Sequence, residues 1–290
     1  MNHVVNAPIQ PIVSKSGQLE VHQVLAWQDN LIWLLVDVNR REAAVIDGPE
    51  AEGVLEYCGL NDLKLTTILN THTHGDHIGI NRDLEQRGLL SGMRVVGAKK
   101  RKDDIPGVTE LVSDGDEVAF GNCKGVAMLT EGHIDGHISY LFDEFLFCGD
   151  TLFTGGCGYL FDGPASKMQA SLSRLAALPA DTLVFCAHEY TEDNLRFAWS
   201  LEPDNDRLKS RIEAVLKIRK VGGCTVPSTI SEELETNPFL RGHESALRAQ
   251  VLEFAPETDM SNQADVFGAT RALKDSKRYR EFLPVPLPTI

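Results

Sequence analysis

The heptapeptide THTHGDH at residues 71–77, directly behind the apolar run TTILN, constrains this chain more than any other stretch. An HxHxDH pattern would arise by chance on the order of once in two thousand shuffled chains of this composition. On an extended segment His72 and His74 alternate, so both rings can face the same way, while Asp76 and His77 fall where the chain turns into a helix. Such a grouping can serve two adjacent metal ions. Imidazole and carboxylate are ligands for zinc or iron, whereas a calcium site would use oxygen alone. The alternative is a run of solvated loop residues.

Three further apolar runs are each followed by polar candidates. GHIDGH brings His133 and His137 behind GVAMLT, CGDT brings Asp150 behind FLF, and CAHEY brings His188 behind TLVF. One histidine after a strand is usually structural; four polar strand ends together point to convergence at one edge of the sheets.

Alternation and β-branched content predict strands at 19–27, 31–38, 43–47, 65–69, 93–98, 124–129, 138–142, 145–148 and 182–186. A helix is predicted over 166–178, where Met168, Leu172 and Leu175 share a face and Ser166 can cap it, and another after Asp76. Beyond residue 190 the strand signal stops. Leu208, Ile212 and Val215 repeat at helical spacing before Gly222 and Gly223, with further helices expected at 244–254 and 265–280. The chain therefore reads as a mixed α/β (α+β) domain, 1–190, followed by a mainly helical one, 191–290.

Composition removes other classes. The 28 Lys and Arg against 42 Asp and Glu leave a net charge of −14, which argues against nucleic acid or an anionic membrane surface as partner. The longest aliphatic or aromatic run, residues 31–36, is far shorter than the roughly 20 residues of a spanning helix. No charged and apolar leader pattern opens the chain, and six scattered cysteines without a CxxC pair fit buried thiols in a reducing compartment, so the cytoplasm is expected. Fifteen of the 28 cations cluster at 99–102, 207–220 and 271–280. The first two clusters are expected to serve solubility or surface packing. In the third, Arg271, Lys274 and Arg278 share one helix face while Val266, Ala269 and Leu273 can pack on another, giving a local anion site.

From WQDNLIWLLVD through THTHGDH, CGDTLF and CAHEYT to TNPFLR and RALKDSKR, the sequence resembles the metallo-β-lactamase superfamily and, within it, the glyoxalase II family of hydroxyacylglutathione hydrolases. The resemblance implies an αββα sandwich with an added helical C-terminal domain. It assigns His72, His74 and His133 to a first metal and Asp76, His77 and His188 to a second, with Asp150 bridging and His137 orienting ligands from behind. Two divalent ions are implied, zinc first, with iron or manganese as alternatives. Asp76 and Asp150 are thereby the catalytic carboxylates around a metal-bridging hydroxide, since a bound water can reach a pKa of about 7. Arg271 and Lys274 are the positions that bind the glutathione carboxylate, and Tyr190 hydrogen-bonds the tripeptide. Tyr159 and Phe161 stand among the substrate contacts where the family usually has Lys or Arg and Tyr, and Ile134 replaces a usual Thr.

A thiolate, with a pKa near 8.5, leaves without a strong proton donor, which suits a thioester, although β-lactams, esters and phosphodiesters are cleaved on the same scaffold. The implied reaction converts S-(2-hydroxyacyl)glutathione, such as S-D-lactoylglutathione, to glutathione and D-lactate, the second step of methylglyoxal detoxification. A mononuclear iron glutathione persulfide dioxygenase and a non-catalytic glutathione or thioester binder are the competing readings. The oligomeric state stays open, a monomer included, and His3, His22 and His243 receive no role.

Overall fold

In the computed structural model, which describes residues 2–277, 279–282 and 286–288, the run NLIWLLVD is a strand buried at all eight positions. A strand covered on both faces lies between two layers. Its side chains divide accordingly: Trp33 and Leu35 enter the core between two sheets, while Ile32, Leu34 and Val36 pack into a second cluster beneath helices.

The first sheet follows chain order, with β1 (Ile12–Val13), β2 (Leu19–Ala26), β3 (Asn30–Asp37), β4 (Glu42–Ile46), β5 (Lys64–Leu69), β6 (Arg94–Ala98) and β7 (Glu110–Val112). Helix α1 (Glu52–Leu60) and helix α2 (Gly75–Gln86) cover its outer face through Val54, Cys58, Ile80 and Leu84. The second sheet takes β8 (Glu117–Phe120), β9 (Cys123–Leu129), β10 (Ile138–Phe142) and β11 (Phe145–Gly149). A small hairpin, β12 (Leu152–Phe153) and β13 (Gly156–Cys157), leaves this sheet, which β14 (Leu183–Cys186) and β15 (Ser228–Thr229) complete. Helix α3 (Ala165–Ala176) buries Met168, Leu172 and Leu175 in the shared core. The layers are thus α, β, β and α, and the predicted strands all form, with ends shifted by a residue or so.

The remainder is helical: α4 (Thr191–Leu201), α5 (Asp206–Lys220), α6 (Ile230–Thr236), α7 (Ser245–Phe254), α8 (Gln263–Ser276) and α9 (Tyr279–Phe282). Helix α8 packs against α3 and so joins the helical domain to the sandwich.

Four expectations need correction. Strands do not end before residue 190, because Ser228 and Thr229 pair antiparallel with β14; two residues are too few to leave an alternation. Ser166 does not cap α3, since Pro164 holds the cap position and Ser166 lies inside the first turn. The helix expected over 265–280 stops at Ser276, where Lys277 takes a φ of 56°; Arg278 lies outside the described residues. Within the second basic cluster Arg211 is buried and pairs with Glu233 of α6. The cysteines are as expected: all six are free and five are buried.

Glu233 is completely buried and also accepts the Gly155 backbone N–H at 2.9 Å and the Asn237 side-chain amide at 2.8 Å. Glu233→Ala strands a buried guanidinium, at a cost of about 3–5 kcal/mol. Differential scanning fluorimetry should show a melting temperature lower by roughly 10 °C; a shift below about 2 °C would mean the network adds nothing.

Candidate metal centre

The sheets place the polar strand ends side by side. His72 follows β5, His74 forms the cap of α2, and Asp76 and His77 occupy its first turn. His133 follows β9, Asp150 follows β11 and His188 follows β14. Of three groups among the described residues whose possible ligand atoms lie within 4.8 Å of one another, two face the cleft, His72, His74, His133 and Asp150 in one set and Asp76, His77 and His188 in the other, while Asp47, His72 and His77 form the third. Nδ1 of His74 is 3.1 Å from Nε2 of His72 and 3.0 Å from Nε2 of His133. The two Asp150 oxygens divide between the sets: Oδ2 lies 3.5 Å from His133 Nε2, while Oδ1 lies 3.6 Å from His77 Nε2 and 3.5 Å from His188 Nε2. Gly149 makes this approach feasible. Its φ is +46°, and a Cβ there would collide with the Thr71 hydroxyl and the His137 ring.

The donor chemistry fits cations. His77 Nε2 and Asp150 Oδ1 are buried and face each other without a hydrogen-bond partner among the described residues. Burial, reinforced by neighbouring imidazoles, lowers the pKa of His72, and burial likewise lowers those of His74 and His133, which keeps all three in the neutral form a metal requires. In the second set burial works against the imidazolium, yet the Asp150 charge and the bond to Asp29 prevail and His188 is raised to about 9. Burial would also raise Asp76 and Asp150, but His188 and His77 hold both well below the usual carboxylate range. Concentrated carboxylate charge in a buried pocket calls for positive charge, which a divalent ion would supply.

Four of the five ligand rings, all but His74, have a partner behind them. His77 Nδ1 donates to Asp47 at 2.9 Å, His188 Nδ1 to Asp29 at 2.9 Å, and His133 Nδ1 to the Tyr159 carbonyl at 2.9 Å. The Thr71 hydroxyl, which donates to Asp47, lies 3.0 Å from His72 Nδ1. His137 belongs to neither set and sits behind the ligands: its Nε2 accepts the Asp150 backbone N–H at 3.2 Å, and its ring stacks on His72. Sequence reasoning missed Asp47, Asp29 and Asn30, the last of which donates to Asp76 at 3.1 Å. Asp47 alone left a trace, as an acidic residue closing the apolar run of β4.

Around the ligands, Phe161 sets its edge against His74 and His133, each at 5.2 Å, and Tyr190 stacks on His188 at 4.9 Å. Arg271 is not on an open helix face. It is buried, lies over the Tyr159 ring at 5.0 Å and donates to the Cys157 carbonyl at 2.9 Å. Lys274 donates to the Asn194 side chain. These residues line a cavity of about 210 Å³ that adjoins the metal-ligand cleft across Phe153, Tyr159 and Tyr190.

Comparison with known proteins assigns the family. The model of the metallo-beta-lactamase superfamily matches residues 27–188, and that of the hydroxyacylglutathione hydrolase C-terminus matches 189–277. The hydroxyacylglutathione hydrolase of Gloeobacter violaceus is 47% identical, over 88% of this chain and 98% of its own. The enzyme of that name from Methylococcus capsulatus is 44% identical, over 89% and 98%. The chain belongs to the hydroxyacylglutathione hydrolases. Among solved structures, ETHE1 from Myxococcus xanthus superposes with a TM-score of 0.57 at 25% identity, covering 88% of this chain and 98% of its own. The BLEG-1 B3 metallo-beta-lactamase shares the fold, with a TM-score of 0.55 at 21% identity over 76% and 99%. In this member of the hydroxyacylglutathione hydrolases, Tyr159 supplies an aromatic face to Arg271, and the buried Ile134 offers no hydroxyl beside His133.

Asp47 has a φ of 57°, a conformation asparagine tolerates, so Asp47→Asn tests the carboxylate without disturbing the backbone. Loss of the charge behind His77 is expected to weaken metal affinity about 10–100-fold in chelator competition; unchanged affinity would remove Asp47 from the site.

Proposed function

We propose that the chain hydrolyses S-(2-hydroxyacyl)glutathione thioesters, S-D-lactoylglutathione among them, releasing glutathione and the 2-hydroxy acid. The observation that carries this reading is the continuity between the metal-ligand cleft and the cavity holding Arg271 and Lys274. A thioester carbonyl placed over the ligand sets can extend its peptide, with two carboxylates and one ammonium, toward those cations.

His72, His74 and His133 would hold one divalent ion and Asp76, His77 and His188 a second, with Asp150 shared; zinc suits the donor set, and iron or manganese are alternatives. When bound, such ions lower the pKa of a water to about 7 and polarise a carbonyl oxygen. The chain's own residues supply the rest. Asp47, Asp29 and the Tyr159 carbonyl hold the rings of His77, His188 and His133 in one tautomer, while Phe161 and Tyr190 pack on the rings of His74 and His188. Lys274 and Arg271 position the peptide, and the departing thiolate needs no proton donor. Residues 1–190 would thus carry the chemistry and 191–290 most of the glutathione contacts. Among the described residues no helix is long and apolar enough to cross a membrane. The free thiols fit a reducing compartment, and we read the protein as cytoplasmic.

Hydrolysis of S-D-lactoylglutathione by the metal-replete protein should fall more than about a hundredfold in Asp150→Ala. Equal rates for the two proteins would end the proposal.

Lys274 tests the substrate side. Burial, with Arg271 alongside, lowers its pKa to about 8, so its ammonium is present below that pH and is lost as the pH rises through it. In the free enzyme kcat/KM should accordingly decline above pH 8, and Lys274→Arg should flatten the decline. Lys274→Ala is expected to raise KM about tenfold with a smaller change in kcat; an unaltered KM would exclude the residue from binding.

A further inference from the structure

The metal-ligand cleft opens on a second side. At its Asp76 and His188 edge lies a cavity of about 690 Å³ whose walls include Trp27, Gln28, Asn30 and Glu50. The cationic cavity meets the same cleft across Phe153 and Tyr159, and Tyr190 borders both openings. A thioester carbonyl carbon carries two substituents. With the glutathionyl sulfur and its peptide on the cationic side, the acyl substituent is directed to the other opening, which is far larger than a lactoyl group.

The wall of this opening is fixed. Trp27 is 54% exposed and has a φ of 50°, a left-handed conformation uncommon for a bulky residue and retained only where the surroundings impose it. The turn that imposes it is fastened from both sides. Val4 donates its N–H to the Gln28 carbonyl at 2.7 Å, and the His3 ring bonds the Asn30 carbonyl at 3.2 Å. Glu189 donates its N–H to the Asp29 carbonyl at 3.0 Å, and Leu31 donates to the Ala187 carbonyl at 2.7 Å. The side chains of Asp29 and Asn30 meanwhile hold His188 and Asp76. Trp27 therefore stands on a fastened turn and lines the same cavity as Asp76 and His188, to whose wall Glu50 adds a carboxylate that is not among the ligands.

We propose that this cavity is the acyl subsite and that Trp27 determines its specificity, favouring neutral 2-hydroxyacyl groups larger than lactoyl, aromatic ones foremost, and disfavouring anionic acyl groups. The proposal rests on the thioester-hydrolase reading above. Aromatic stacking on the indole accounts for the first preference and repulsion by Glu50 for the second.

The test compares kcat/KM for the S-lactoyl, S-mandeloyl and S-succinyl thioesters of glutathione in the metal-replete wild type, Trp27→Ala, Trp27→Phe and Glu50→Gln. The mandeloyl-to-lactoyl ratio should fall about tenfold in Trp27→Ala and stay within about twofold of wild type in Trp27→Phe, which keeps a ring. The succinyl thioester should be the poorest of the three, and Glu50→Gln should raise its ratio to mandeloyl at least about threefold. An unchanged ratio in Trp27→Ala, an equal loss in Trp27→Phe, or a succinyl preference indifferent to Glu50 would overturn the subsite. Should Trp27→Ala fail to fold, the Phe and Gln variants decide by the same ratios. A wild type inactive on all three thioesters would instead overturn the hydrolase reading, an outcome distinct from lactoyl turnover without acyl discrimination.

Discussion

A carboxylate buried between two sets of imidazoles governs this molecule. Asp150 sits where both sheets end, with one oxygen toward His133 and the other toward His77 and His188, and that second oxygen has no hydrogen-bond partner among the described residues. A buried charge is costly unless it is paired or ligates a metal. The surroundings answer that cost: strand ends from both sheets converge on it, and Gly149 takes a left-handed conformation so that Thr71 and His137 can approach closely.

The same demand organises the layer behind the ligands. Asp47, Asp29, Thr71 and the Tyr159 carbonyl each meet the outward nitrogen of a histidine. The helical domain takes part as well. Glu233 grips the Gly155 N–H, Asn237 donates to the Gly156 carbonyl at 2.9 Å and Asn194 to the Thr154 carbonyl at 3.0 Å, so α4, α6 and the residue after α6 clamp the hairpin of β12 and β13. That hairpin leads directly to Tyr159 and Phe161. The helical domain is therefore a mechanical part of the cleft wall as well as the bearer of Arg271 and Lys274.

Charge is distributed to match. The chain is acidic overall, yet its cationic cavity and the opening that Glu50 borders meet at one cleft, with Tyr190 bordering both. A substrate with an anionic peptide and a neutral acyl group has one orientation that suits both ends. An asymmetric electrostatic environment selects orientation as well as affinity.

Much of this was legible in the sequence because it is local. Alternation and short apolar or β-branched runs exposed the strands, the doubly buried Asn30–Asp37 by its unbroken apolar run, and the spacing of THTHGDH with the polar ends of three further runs picked out residues that gather at one place. The family resemblance added the αββα sandwich and the partition of ligands. Helices α1, α4 and α6 went unread: α1 buries only Val54 and Cys58, α4 buries residues nearly all round, and α6 is too short for a periodic stripe. What only the tertiary structure decided is pairing over long sequence distances. Asp29 meets His188 across 159 residues, Arg271 meets Cys157 across 114, and Glu233 meets Gly155 across 78. Spacing records which residues share a strand or a helix face; which acid stands behind which histidine, and whether an arginine faces water or a carbonyl, is settled only when separate layers pack and each buried polar atom must find a partner.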